Sequence, residues 1–390
     1  MSEILLTPAE LKPSTPDAEA SHPPGRILML SPRSNVQGPI PRITTLLLEP
    51  LRAAGCEVTV EPWGRHSDTE SLADKVMGRV RDIIRVRSRV SAAHFDVMVV
   101  KTSHEWMSLL RDVPLLVATR RRVPVIVAEF HGGNSDRLSA PGNHAFKWVT
   151  RMLFRLIDGA FVLSCEEARS ASAFYPPGKF RVIVNPFESS EHDRDAPRVD
   201  RLPAVPTLLF AGRLLPEKGV LDTVDAFATL QARRPCHLVI AGTGPAAEDV
   251  AARVAALGLS GSVTLAGLLP HDEIVARYRA ADIFVLPTYW GEGFPTVLAE
   301  AMSAGLPIVT TRLRGIADHL EEDVNALFVP PRAPSALADA VGRLLEDDGL
   351  RRRMSAANRA KVRDFEPVKA AEIYLRALAE VVPVTAAAPV

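Results

Sequence analysis

The stretch PTYWGEGFPTVLAEAMSAGLPIVTT, Pro287 to Thr311, decides the fold. The apolar run Ile283–Pro287 leads into it and reads as a strand. A glycine-bearing loop follows. A helix is then expected from Phe294 or Pro295 to about Gly305. Pro295 suits a first helical turn, and Gly305 ahead of Leu306–Pro307 suits a stop. Ile308–Thr311 is the next strand. Strand, loop, helix and strand in that order is one α/β unit.

The same alternation continues outward in both directions. Before the linker, strands are expected at Arg26–Leu30, Glu57–Val60, Asp96–Lys101, Val123–Glu129, Gly159–Ser164 and Arg181–Asn185. After it they are expected at Thr207–Ala211, His237–Ala241, Ser262–Ala266, Ile283–Pro287, Ile308–Thr311 and Ala326–Val329. Most are continuously hydrophobic, as parallel strands buried on both faces must be. Amphipathic stretches such as Val220–Ala232 and Pro245–Leu257 separate them. The two series are divided by NPFESSEHDRDAPRVDRLPAVP, which is charged, proline-bearing and without periodicity. The expectation is two Rossmann-like, doubly wound parallel-sheet domains facing a cleft. Residues 1–24 form a tail, 25–188 the N-terminal domain, 189–204 a linker and 205–365 the C-terminal domain. Residues 366–390 close the chain, with Pro367–Val382 as a last amphipathic helix.

Composition narrows the function classes. The 390 residues carry 46 Lys plus Arg and 46 Asp plus Glu, so no global charge recommends a nucleic acid as partner. Cys56, Cys165 and Cys236 are far apart and form no CxxC pair, which argues against a zinc or redox motif; they read as buried small hydrophobes. The first residues lack the basic start and apolar core of a signal peptide. No apolar run is long enough to span a bilayer, and a cytoplasmic protein is expected.

Four constellations carry chemistry. In FAGRLLPEKG, 210–219, a strand ends at Ala211, Gly212 permits a tight turn, and Arg213 and Lys218 stand in the loop above. An arginine fork and a lysine point charge suit a diphosphate, although two solvated loop charges would read alike. In GEGFPTVLAE, Glu292 precedes the helix and Glu300 lies inside it. Eight residues return to nearly the same helix face about two turns on, so both carboxylates are expected along one side. Carboxylates accept paired hydroxyls well, and exposed amides at the helix start form an anion site. The competing readings are a dipole partner for Glu292 and a solvated face for Glu300. In HLVIAGTGPAAED, Gly242 and Gly244 form either a nucleotide loop or a plain turn. In VAEFHGGNSD, His131 follows a strand and precedes two glycines, as a cleft residue or a structural loop histidine.

With these residues together, the chain resembles the retaining GT-B glycosyltransferases of family 4, the group 1 transferases. The likeness is strongest from Gly212 to about Pro330 and extends from Arg26 to Phe365. It rests on the Glu292–Glu300 pair followed by EAMSAGLPIV and on the Arg213–Lys218 spacing. HLVIAGTGP and VTLAGLLPHDEIVARYRAADIFVLPT continue it in order. The resemblance implies that Arg213 and Lys218 hold the donor diphosphate, Glu292 the sugar hydroxyls and Glu300 the ribose. The backbone of Gly293, Phe294, Pro295 and Thr296 would contact sugar and phosphate, with amides from all but the proline. Gly38, Gly212, Gly242 and Gly244 would line the donor loops. His131 matches a histidine by the donor sugar, and Asn185 the end of the N-domain. It also implies no cofactor, no bound metal, no protein base, and a C-terminal helix that crosses back to the N-domain.

Three departures stand out. The first loop, SPRSNVQGPIPR, has Gly38 alone where the family has a glycine pair. Asn185 is followed by Pro186 where the family has glycine. After Ile308 the family often has two glycines, and here TTRLRGIAD places Arg312 and Arg314, either surface charges or a bias on the choice of base or sugar. Asp193–Arg194–Asp195 has the form of a metal motif but lies in the linker.

The acceptor side is expected in the N-domain, with His104 and Glu105 as candidates. KVMGRVRDIIRVRSRV and NHAFKWVTRMLFRLID are basic and amphipathic; they are either helices packed on the sheet with arginines in water, or a peripheral contact with anionic lipid that suits a lipid-linked acceptor. The expected reaction moves a hexose from a UDP- or GDP-type donor to a glycan, lipid-linked or small-molecule acceptor. The rivals are a nucleotide-sugar epimerase of this fold and a non-catalytic sugar-nucleotide binder or scaffold.

Overall fold

A computed structural model describes residues 25–34, 36, 38–64, 72–133, 142–172, 175, 177–189 and 202–382. The tail 1–24, most of the linker and the Asp193–Asp195 motif lie outside these. The chain divides into two compact units. Unit 1 holds the described residues up to Phe187 together with those from Glu366 on, and unit 2 runs from Glu188 to Phe365.

Unit 1 comprises β1 (Arg26–Ser31), α1 (Pro39–Ala53), β2 (Glu57–Pro62), α2 (Leu72–Ala92), β3 (Val97–His104) and α3 (Trp106–Thr119). It continues with β4 (Val125–Gly133), α4 (His144–Leu156), β5 (Gly159–Val162), α5 (Cys165–Ser172) and β6 (Phe180–Val182). The sheet is ordered β2-β1-β3-β4-β5-β6, and every pairing is parallel. Ile27, Leu28, Met29 and Leu30 all have 0% exposure. That double-sided burial is why the strands read as unbroken apolar runs.

Unit 2 contains β7 (Thr207–Ala211), α6 (Val220–Arg233), β8 (His237–Ala241), α7 (Ala247–Ala256), β9 (Val263–Gly267), α8 (His271–Ala280) and β10 (Ile283–Leu286). Then come α9 (Thr296–Ser303), β11 (Ile308–Thr310), α10 (Arg314–His319), β12 (Ala326–Phe328), α11 (Pro334–Glu346) and α12 (Asp348–Lys361). Its sheet runs β12-β11-β10-β7-β8-β9, again parallel throughout. All twelve expected strands are present, most shifted by a residue or more at an end. The expected last helix is α13 (Pro367–Ala379), and it packs on unit 1 beside α1. The Tyr374 ring meets Phe161 at 5.2 Å, and Glu380 pairs with Arg181. Among the described residues no helix is long and apolar enough to cross a membrane. Cys56 and Cys236 are buried as expected, while Cys165, at the start of α5, is only partly so.

Each sheet reverses direction once. In unit 2 the chain builds β7, β8 and β9 outward, then returns to lay β10 on the other side of β7. The loops after β7 and β10 therefore emerge side by side, at the switch point where open α/β sheets bind ligands. In unit 1 the switch lies between β1 and β3, so the Gly38 loop flanks His104 there.

The unit 2 loops touch through backbone. Gly242 has φ +144, and a Cβ on it would lie 1.8 Å from the Gly212 carbonyl oxygen. On Gly219, with φ +73, a Cβ would lie 2.4 Å from the Pro287 oxygen. Gly242→Ala is expected to cost about 1–3 kcal/mol through this clash. Gly261→Ala, whose Cβ would meet nothing within 4 Å, serves as the near-neutral control in urea denaturation. Equal midpoints for the two variants would refute the packing argument.

Candidate functional site

The loop after β7 carries Arg213 and a 3-10 turn over Pro216–Lys218. Gly219, in the left-handed region, ends that turn and starts α6. This folds the loop back toward β10. Tyr289 N donates to Glu217 O at 2.8 Å, and Thr288 Oγ1 donates to the same oxygen at 3.3 Å. The Lys218 ammonium consequently meets Glu292 Oε1. Lys218 is buried and Glu292 partly so, so each charge relies on the other. Arg213 is exposed and has no hydrogen-bond or ion-pair partner among the described residues.

Glu292 sits in a non-helical loop. Pro295, at φ −62 and ψ 128, precedes α9, which starts at Thr296. The expected common helix face for Glu292 and Glu300 is therefore wrong, because helical periodicity begins four residues after Glu292. Their partners differ accordingly. Glu300 is half-buried, with its charge near the Tyr278 hydroxyl, which donates to Val297 O at 3.4 Å. Burial, and then the Glu300 charge, push the Tyr278 phenol well above its usual range. No side chain caps α9, so its first amides remain available to an anion. Its C-terminus closes as expected at Gly305: Leu306 N donates to Ala301 O and Gly305 N to Met302 O, a Schellman pair.

The other donor candidates have definite places. Gly293 and Pro295 are buried and Thr296 is exposed. The Phe294 ring stacks on Phe365 at 4.6 Å and meets His319 edge-on at 5.4 Å, so its side chain is a packing group. Burial drives His319 down to about 4, which leaves it neutral there. Gly212, Gly242 and Gly244 interlock: Gly212 N donates to Ala241 O, and a Cβ on Gly244 would strike Leu214. The close approach requires glycine at 242 and 244, while a Cβ on Gly212 would meet nothing within 4 Å and its φ of +146 is what favours glycine there.

Arg314 is not a surface charge. It is 3% exposed, holds φ +43, and donates from Nη1 to Gly291 O at 2.7 Å. A Cβ on Gly291 would fall 2.4 Å from its Cζ, and one on Gly315 would fall 2.7 Å from the Gly293 carbonyl carbon. Arg314 and Gly315 thus back the loop that presents Glu292. The sequence signal was an arginine standing where a glycine is usual. Arg312, in contrast, lies exposed over the Phe328 ring at 4.6 Å.

In unit 1, Gly38 has φ +144, precedes α1, and has nothing near its Cβ position. His131 lies near the end of β4 with its side chain 5% exposed, its Nε2 2.8 Å from Glu129 Oε1. His104 is buried against Phe146 at 5.1 Å, accepts or donates with Thr150 Oγ1 at 3.1 Å, and is pushed down to about 4 by burial. It packs in the aromatic cluster and lines a small cavity with Phe130 and Gly132. Glu105 is exposed at the start of α3. The Asn185 side-chain oxygen is buried without a partner.

Comparison with known proteins bears on this geometry. Residues 195–361 match the family model for glycosyl transferases group 1. The chain is 37% identical to the alpha-D-kanosaminyltransferase of Streptomyces kanamyceticus over 151 residues, spanning 38% of this chain and 39% of that one. It is 29% identical over 330 residues, 79% of each chain, to the GDP-mannose-dependent alpha-(1-6)-phosphatidylinositol monomannoside mannosyltransferase of Mycobacterium tuberculosis. The crystal structure of Anabaena HepE in complex with UDP and glucose superposes with a TM-score of 0.68 at 16% identity, covering 91% of this chain and 99% of that one. The fold is GT-B in type, two Rossmann-like parallel sheets of six strands each. Arg314→Met is expected to lower the urea midpoint by an amount worth about 1–3 kcal/mol, since it removes the donor to the half-buried Gly291 carbonyl. An unchanged midpoint would remove Arg314 as the support of this loop.

Proposed function

Through residues 195–361 this chain belongs to the glycosyl transferases group 1, and on that premise we propose that it is a retaining glycosyltransferase. It moves a hexose from a UDP- or GDP-type sugar to a glycan, lipid-linked or small-molecule acceptor. The observation that carries the reading is the Lys218–Glu292 contact at the unit 2 switch point, beside the uncapped start of α9.

Lys218 has three donors and can keep Glu292 while turning others to a phosphate. Arg213, exposed above β7, adds a second cation. The departing diphosphate is thereby stabilised by fixed positive groups and helix amides, with no metal or cofactor in the scheme. Glu292 takes the sugar hydroxyls and Glu300 the ribose. As the C1–phosphate bond breaks, the acceptor oxygen bonds C1 from the same face, and its proton passes to the leaving phosphate oxygen.

On the acceptor side, unit 1 supports contact with anionic lipid. α2, α3 and α4 pack side by side. Val76, Val80 and Ile84 form an exposed stripe on α2, Met107 and Leu110 are exposed on α3, and Trp148 on α4 is 64% exposed. Arg81, Arg87 and Arg151 stand exposed on the same helices. Apolar side chains among cations suit an interfacial surface better than they suit water.

UDP-, GDP- and ADP-sugars tested by thermal shift and hydrolysis should yield one that raises Tm and slowly releases its nucleoside diphosphate in EDTA. Lys218→Ala and Glu292→Ala should each cut turnover by about 10²-fold while the fold persists. If no donor shifts Tm, the binding claim itself is wrong. Co-sedimentation with phosphatidylglycerol vesicles at low salt should be lost in an Ile84→Glu, Trp148→Glu double variant. Absence of wild-type binding removes the lipid contact.

A further inference from the structure

The exit of β10 is stapled from β11. Thr310 Oγ1 donates to Leu286 O at 2.7 Å, Thr311 Oγ1 donates to Thr288 O, and Arg314 Nη1 donates to Gly291 O at 2.7 Å. The three donor residues are buried, at 0%, 0% and 3% exposure. This row of staples stops one residue short of Glu292. α10 then holds the residues on the far side. A Cβ on Gly315 would lie 2.7 Å from the Gly293 carbonyl carbon and 2.9 Å from Phe294 N. His319, at the other end of the helix, meets the Phe294 ring at 5.4 Å. Positions 291, 293 and 294 are thus fixed from one six-residue helix, and Glu292 between them meets Lys218.

Arg314 is the unusual member of this set. Its guanidinium is taken out of water, and its φ of +43 lies where a residue with a side chain rarely stays unless its surroundings hold it. A Cβ on Gly291 would lie 2.6 Å from Arg314 Nη2 and 2.7 Å from Nη1. Gly291 is therefore the glycine that admits the guanidinium, and the two form a matched pair. What a fixed loop adds is discrimination. A carboxylate accepts hydroxyls best along its lone-pair directions. Held rigidly, it meets one configuration of a hexose hydroxyl and leaves that of an epimer unpaired. Free to swing, it can follow either.

We propose that Arg314 is a positioning residue that acts through Gly291 to fix the Glu292 carboxylate, and so sets which hexose the donor site accepts. It works through the loop and not by contact with the donor. The inference rests on the reading that Glu292 takes the sugar hydroxyls.

The test compares donors that share a nucleotide and differ at one hydroxyl. The pairs are UDP-glucose with UDP-galactose, UDP-N-acetylglucosamine with UDP-N-acetylgalactosamine, and GDP-mannose with GDP-glucose. The wild type should prefer one member of a pair in kcat/KM for donor hydrolysis. Arg314→Met and Arg314→Gly should each lower that preference about ten-fold, the worth of one hydrogen bond to a charged group, while affinity for the free nucleoside diphosphate is unchanged. Arg314→Lys, which keeps a cationic donor, should retain part of the preference. Arg312→Met, which removes an exposed arginine two residues away, should leave it unchanged. A purely structural role would weaken both members of a pair alike. An unchanged ratio in both Arg314 variants, or a wild type that does not discriminate within any pair, overturns the proposal. The clamp has a readout of its own. Gly291→Ala should lower the urea midpoint of the wild type and lower it much less in Arg314→Gly, and amide exchange at Glu292 and Gly293 should quicken in Arg314→Met. Additive midpoint losses overturn the matched pair. If no donor stabilises the wild type, the reading of Glu292 fails, and the stability cycle still decides whether Arg314 holds its loop.

Discussion

Burial of parallel strands on both faces is the constraint on which everything else in this molecule depends. A strand covered by helices above and below has no place for a polar side chain along its body. Chemistry is pushed to the C-terminal ends, where backbone leaves the sheet. In unit 2 this concentrates Arg213, Lys218, Glu292 and the start of α9 on two adjacent loops. Those loops are held by main chain: glycines at 219, 242 and 244 let one loop lie directly on the next. Residues with a Cβ would prop them apart, and the charges they carry would move with them.

The same constraint explains the exception. Lys101 on β3 and Glu129 on β4, both with 0% side-chain exposure, are tolerated inside the unit 1 sheet only because each neutralises the other and the Tyr374 hydroxyl fills the remaining lone pair. Removing one partner of such a pair typically costs about 3–5 kcal/mol, because a bare charge is left in apolar surroundings. The arrangement is a poor way to add stability. Its evident product is a carboxylate of fixed charge and orientation, set against a histidine.

Much of the architecture was legible. Unbroken apolar runs such as ILML and IFVL mark doubly buried strands, and Gly305 before Leu306–Pro307 marks the end of α9. Arg213, Lys218 and Glu292 were visible as charges in loops after strands, and Glu300 as a charge in the helix that follows. What the letters concealed was conformation: Pro295 at ψ 128 breaks the helical phase, so eight-residue spacing carried no meaning. Arg314 was visible only as a departure, since nothing local says that its guanidinium turns inward to Gly291. Lys101 and Glu129 did give a signal, one charge in each of two consecutive apolar strands. Tyr374 gave none, standing 245 residues from the carboxylate it satisfies.

That separation shapes how the protein is made. Unit 1 is discontinuous: its sheet leaves the ribosome first, and its last helix leaves after all of unit 2. During synthesis, the N-terminal sheet can assemble with Lys101 against Glu129 while one carboxylate oxygen awaits the tyrosine. The native state of unit 1 is thus completed by a helix made after unit 2, a contact of high sequence separation that closes late. A unit 1 sheet without α13 would lack the tyrosine hydroxyl on Glu129 and the ring packed on Phe161, so its core is complete only when residues from both sides of unit 2 in the sequence have met.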